Sequence, residues 1–101
     1  YDVYDDGIIK LIFTPGHTPG HQSVLVNLPK TGHMLFTGDA CYTGDHWCDK
    51  CLPGLVSSSS DAAESVKKLR RVAKEHDAKV VWGHDPVAWL DWKKAPMFYY
   101  D

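Results

Sequence analysis

Thr14-Pro15-Gly16-His17-Thr18-Pro19-Gly20-His21 packs two prolines and two glycines into eight residues. Proline fixes φ and removes a backbone donor, so this stretch excludes both a regular helix and a central strand and has to be a shaped loop. Upstream, 7–13 is β-prone and joins 1–4 through Asp5-Asp6-Gly7, an Asp-Gly turn suited to a tight hairpin. Downstream, 23–28 and 34–37 read as two further strands, separated by the polar turn Pro29-Lys30-Thr31-Gly32. The loop therefore interrupts a growing sheet.

His17 and His21 stand at i, i+4, a spacing that suits a helical metal pair, but Pro19 and Gly20 between them forbid that helix. We therefore expect only one, His17, to face a metal and His21 to brace the loop by bonding backbone. His17, Asp39 and His84 each lie two to four residues beyond the last bulky apolar residue of a predicted strand: Phe13, Phe36 and Trp82. If those strands share a sheet with their carboxyl ends together, two imidazoles and a carboxylate converge at one edge. That nitrogen and oxygen set suits Zn²⁺, and also Mn²⁺ or Fe²⁺.

From 38 to 60 no hydrophobic period persists, and the segment reads as a long loop in which a short helical turn could sit. Asp61 as N-cap, Glu64 three residues on, and Ala62, Val66, Leu69, Val72 and Ala73 at helical spacing predict a helix over 61–76. Its basic face of Lys67, Lys68, Arg70, Arg71 and Lys74 reads as solvated surface. A strand over 79–82 ends at Gly83-His84-Asp85-Pro86, and the aromatic tail to Asp101 is expected to dock on the body. Cys48-Asp49-Lys50-Cys51 is a lone CxxC; with Cys41 and His46 it makes a Cys3His zinc site arithmetically available, but ordinary loop thiols are the favoured reading.

At 101 residues, with 44% apolar and 24% charged, the chain allows one domain. Eleven Lys and Arg against thirteen Asp and Glu leave a net charge of -2, with no basic field to attract nucleic acid. No apolar run, Val24-Leu25-Val26 included, comes near the length of a membrane span. The opening Tyr1-Asp2-Val3 carries no readable export signal, and three cysteines, an odd number, fit a reducing cytoplasm.

The octet 14–21, Thr37-Gly38-Asp39 and Gly83-His84-Asp85, in that order, resemble the carboxyl-terminal half of the metallo-β-lactamase superfamily. The resemblance implies an α+β chain forming half of an αββα sandwich of hydrolases with two metals, usually zinc, at one sheet edge. Asp39-Ala40-Cys41-Tyr42 and Gly83-His84-Asp85 look closest to lactonases that open N-acyl-homoserine lactones, and to the similar 4-pyridoxolactonases. Carried over, His17 is a ligand of one metal, Asp39 bridges both, His84 is a ligand of the other, and Tyr42 is the phenol beside a small lactone substrate. The superfamily's His-x-His-x-Asp-His motif is absent from 1–101. The chain is therefore expected to be one partial domain, inactive alone, whose partner is the amino-terminal half of the same fold; a homodimer is left open. Hydrolysis of another small lactone or ester, and a non-catalytic metal-binding fragment, are the rival expectations.

Overall fold

The computed structural model describes residues 1–51, 54–96 and 98–101. Four strands, β1 (Ile9–Phe13), β2 (Gln22–Leu28), β3 (Gly32–Phe36) and β4 (Lys79–Val81), form one sheet in the order β1-β2-β3-β4. The first two pairings are antiparallel, with Leu11 opposite Val24 and Leu25 opposite Leu35. The third is parallel, with Leu35 opposite Val80. A parallel neighbour needs a crossover, and helix α2 (Ser59–Glu75) supplies it.

Alternation along the strands sends Ile12, Leu25, Leu35 and Val80 to one face, where Leu69, Val72 and Ala73 of α2 meet them. Leu35 and Leu69 are fully buried. Burying a side chain of that size stabilises by about 1.5–3 kcal/mol, so this seam is what holds α2 to the sheet. The opposite face carries Val26, Leu28, Met34, Phe36 and Val81, which with Trp89, Trp92 and Tyr100 line a cavity of 320 Å³. One β layer with one helical layer is half of a four-layer sandwich.

Several expectations shift. The first hairpin is only a bridge, Asp2 to Lys10, reinforced by Val3 donating to the Ile9 carbonyl at 2.9 Å. The long helix starts two residues early. Its cap is Ser58, whose hydroxyl accepts the Asp61 amide, because the Ser57 and Ser58 amides are already bound to the Gly16 carbonyl. The supposed loop 38–60 contains a 3₁₀ turn, Gly38–Ala40, and α1 (Gly44–Trp47), capped by Thr43; its Leu52 and Pro53 lie outside the described residues. Beyond β4 an unforeseen helix, α3 (Pro86–Asp91), begins with Asp85 as N-cap and Pro86 in its first turn. In the tail, Trp92 and Tyr100 are half-buried while Trp89, Phe98 and Tyr99 stay exposed, so only part of it docks; Met97 lies outside the described residues.

Candidate metal centre at the sheet edge

The 14–21 loop is shaped by its own backbone and by α2. Thr14 donates to the His21 carbonyl at 2.9 Å and closes the loop at its neck. Pro15 offers its carbonyl to the Ser65 hydroxyl at 2.6 Å, and Gly16 offers its own to the Ser57 hydroxyl at 2.8 Å. Gly16 has φ +139°, and a Cβ there would overlap the Ala62 backbone, so only glycine lets the loop lie this close to α2.

His17, carried on that loop, turns Nε2 to Asp39 Oδ2 at 3.3 Å, while His84 Nε2 stands 2.7 Å from Asp39 Oδ1. Residues far apart in the chain therefore meet at one carboxylate, each oxygen facing a different imidazole. Two short segments produce this meeting. Thr37 donates its amide to Val81 at 3.0 Å, extending the β3–β4 pairing, and Gly83 and His84 donate to the carbonyls of Cys41 and Tyr42 at 3.1 and 2.9 Å. Asp39 and His84 are thereby set side by side at the carboxyl ends of parallel strands.

Tyr42 stands amid the imidazoles, its ring edge-on to His84 with centroids 4.9 Å apart and to His17 at 6.0 Å. Its hydroxyl and the Leu55 carbonyl each lie 3.1 Å from His17 Nδ1. A carbonyl only accepts, so both contacts are favourable together only when Nδ1 carries the proton. His17 Nε2 then presents a lone pair to a carboxylate oxygen, an arrangement that needs a cation or a proton between them.

Among the described residues, no group of three or more His, Cys, Asp or Glu side chains is set to hold a metal ion as it stands. His17, Asp39 and His84 close on one another. The donor types nonetheless fit a divalent cation: two imidazole nitrogens, one with its tautomer fixed by a backbone carbonyl, and a carboxylate with two separately directed oxygens.

His21 is not at this meeting point. Its Nε2 accepts the Asp39 amide at 3.0 Å and its Nδ1 lies 2.9 Å from the Thr14 hydroxyl, the bracing part expected of it. The Cys3His alternative finds no support in the contacts. Cys41 is buried, with its thiol donating to the Thr43 carbonyl, while Cys48 and Cys51 are exposed free thiols. His46 is buried, with Nδ1 accepting the Tyr42 amide at 3.3 Å; burial first, and the Arg70 charge second, hold its pKa below the ordinary imidazole value. Arg70 is no mere solvated cation. It donates to the Trp47 carbonyl at 2.7 Å and forks onto both Asp49 oxygens, tying the α1 segment to α2.

Asp85 was missed as a site residue. Its Oδ2 accepts the Gly44 amide at 2.9 Å, and Oδ1 accepts those of Val87 and Ala88, so one carboxylate joins α3 to the segment bearing Tyr42. The Asp-Pro pair signals the cap on α3, but nothing local signals the partner 41 residues away.

A model of the metallo-beta-lactamase superfamily matches residues 1–84. Over 99 residues the chain is 60% identical to the N-acyl homoserine lactonase AttM of Rhizobium radiobacter, covering 98% of this chain and 38% of that protein. With an N-acyl homoserine lactonase of Bacillus cereus the identity is 40% over 77 residues, 76% of this chain and 30% of the relative. A solved N-acyl homoserine lactone hydrolase, with the product N-hexanoyl-L-homoserine bound at its catalytic metal center, superposes at a TM-score of 0.86 with 32% identity, covering 95% of this chain and 37% of that one. The chain thus spans well under half the length of these relatives.

Proposed function

The chain belongs to the metallo-beta-lactamase superfamily, and from that premise we propose that the complete protein opens the ring of N-acyl-homoserine lactones, with these residues forming the carboxyl-terminal part of its site. The observation that carries the reading is the single carboxylate of Asp39 meeting His17 and His84 on different oxygens, beside the Tyr42 hydroxyl. The AttM and Bacillus cereus relatives and the product-bound hydrolase supply the substrate class.

In this reading His17, Asp39 and His84 would be this chain's contribution to holding zinc. Bound there, the ions supply Lewis-acid polarisation of an ester carbonyl and a water acidified toward neutrality. The chain's own groups do the rest. Leu55 keeps His17 in the tautomer whose Nε2 is free to bind. Because His17 Nδ1 supplies the proton in its contact with Tyr42, the phenolic hydrogen is left for the substrate. Hydrolysis adds a water oxygen to the carbonyl carbon, breaks the ring C–O bond and protonates the departing oxygen. We assign Tyr42 to hydrogen-bond the carbonyl or that departing oxygen.

We further propose that residues 1–101 alone turn over no lactone. Phe13 and Phe36 are more than a third exposed at the sheet, an apolar face that a second layer has to cover. The test is lactone opening and zinc content, measured on the complete protein and on residues 1–101 with and without an amino-terminal half supplied in trans. Hydrolysis by the complete protein, lost with chelator and restored by zinc, is expected. Tight zinc binding with no lactone opened in any of these forms would leave a non-catalytic metal-binding module; hydrolysis confined to a different lactone would overturn the substrate assignment.

A further inference from the structure

The carboxylate that both imidazoles meet sits in a turn clasped by a chain of hydrogen bonds, whose direction is fixed from both ends. At one end the Asp39 backbone amide donates to His21 Nε2 at 3.0 Å, so that nitrogen carries a lone pair and Nδ1 carries the proton. Nδ1 is 2.9 Å from Thr14 Oγ1, which therefore accepts. At the other end the Ser23 hydroxyl donates to the Thr37 carbonyl at 2.9 Å, so its single proton is spent. Ser23 Oγ can then only accept from Thr14 Oγ1, also 2.9 Å away. Thr14 is thus an acceptor from His21 and a donor to Ser23, and the two ends demand the same sense.

The chain leaves the backbone at Asp39 and rejoins it at Thr37, so it encircles Gly38. Gly38 has φ +55°, and a Cβ there would stand 3.0 Å from His21 Nε2. Thr14, Ser23 and Thr37 are each at most 1% exposed, so water cannot replace a lost member cheaply.

We propose that Thr14, His21 and Ser23 act as a tautomer-locked clasp that sets the aim of the Asp39 carboxylate, with His21 as the positioning residue and Thr14 as the hydroxyl that accepts from its Nδ1 and ties it to Ser23. This rests on the reading of Asp39 as a metal-bridging carboxylate. Groups that orient a ligand from behind typically change metal affinity or activity 10–100-fold when removed.

The experiment uses the complete protein with ¹⁵N-labelled histidine. Long-range nitrogen–proton correlation is expected to show the His21 proton on Nδ1 and a bare Nε2; a proton on Nε2 overturns the clasp. Thr14→Val, which keeps the shape and deletes the hydroxyl, is expected to lower kcat and the retention of zinc against chelator by about 10-fold or more, with KM close to wild type. Thr14→Ser is expected to restore both. Unchanged zinc retention and kcat in Thr14→Val overturns the proposal, as does failure of Thr14→Ser to rescue. Should Thr14→Val not fold, the tautomer and the Thr14→Ser protein still decide. If the complete protein opens no lactone, the activity assignment falls, while tautomer and zinc retention continue to test the clasp.

Discussion

Gly83 lies so close to Gly38 that a Cβ on Gly83 would overlap the Gly38 carbonyl oxygen. This contact lets the ends of β3 and β4 pass at backbone distance, and it sets His84 Nε2 2.7 Å from Asp39 Oδ1. The obstacle is backbone, not a movable side chain. Gly83→Ala is therefore expected to part the two turns, destabilising the fold by roughly 1–3 kcal/mol, the usual cost of forcing extra volume into a packed region. Calorimetry and zinc content of the complete protein check it; full stability with full zinc content would show that the close approach is dispensable.

Asp85 offers a pH test. The amides of Ala88, then Gly44, then Val87 hold its carboxyl below the usual carboxylate range, against an opposing effect of desolvation. A carboxyl depressed in the folded state contributes stability above its unfolded pKa of roughly 3.9, and loses it as pH falls from there through the folded value. Asp85→Asn cannot accept all three amides, so its melting temperature is expected to lie below wild type at neutral pH. The gap should shrink below about pH 4. A gap that stays constant into acid would deny Asp85 this role.

What the sequence made legible follows from how local each cause is. Convergence of His17, Asp39 and His84 was readable because a strand fixes where its end lies, and each residue closely follows a bulky strand residue. The α2 helix was readable from Ala62, Val66 and Leu69, but its start was not. Asp61 with Glu64 carries the local cap signal, whereas the cap is Ser58, held where the Gly16 carbonyl accepts the Ser57 and Ser58 amides from across the chain. The four residues of α1 are too few to show a period. Asp85-Pro86 is both a strand-end breaker and a helix-start signal, and with so short an apolar stretch beyond it the sequence does not show which it serves. The contact of Asp85 with Gly44 and the fork of Arg70 on Asp49 are tertiary, and no spacing announces them.

Leu69 is fully buried where α2 crosses β2 and β3. Leu69→Ala should leave a cavity that the paired strands cannot collapse to fill, at a cost of about 2–5 kcal/mol in denaturant unfolding. A loss well under 1 kcal/mol would mean that the helix seats elsewhere on the sheet.

The three thiols should divide two to one. Burial pushes Cys41 up to about 12, and it is fully inaccessible, whereas Cys48 and Cys51 are exposed. Alkylation of the native protein at about pH 8, near an ordinary thiol pKa, is expected to modify the latter two and spare Cys41 until denaturant is added. Peptide mass analysis reads this directly, and early labelling of Cys41 would contradict the packing of the 3₁₀ turn against the core.

Tyr42→Phe separates the chemistry of the hydroxyl from the packing of the ring. The ring edges against His17 and His84 are kept, and His17 Nδ1 retains the Leu55 carbonyl as partner, so fold and zinc content should match wild type. Under the role proposed for Tyr42, what is lost is a donor to the lactone oxygens. Removing one such donor typically costs on the order of 10²-fold in kcat, so a fall of about that size is expected in the complete protein. A larger effect on KM than on kcat would move Tyr42 from stabilising the reacting oxygens to merely holding the substrate. Unchanged turnover of every lactone tried, with zinc intact, would remove the phenol from the reaction.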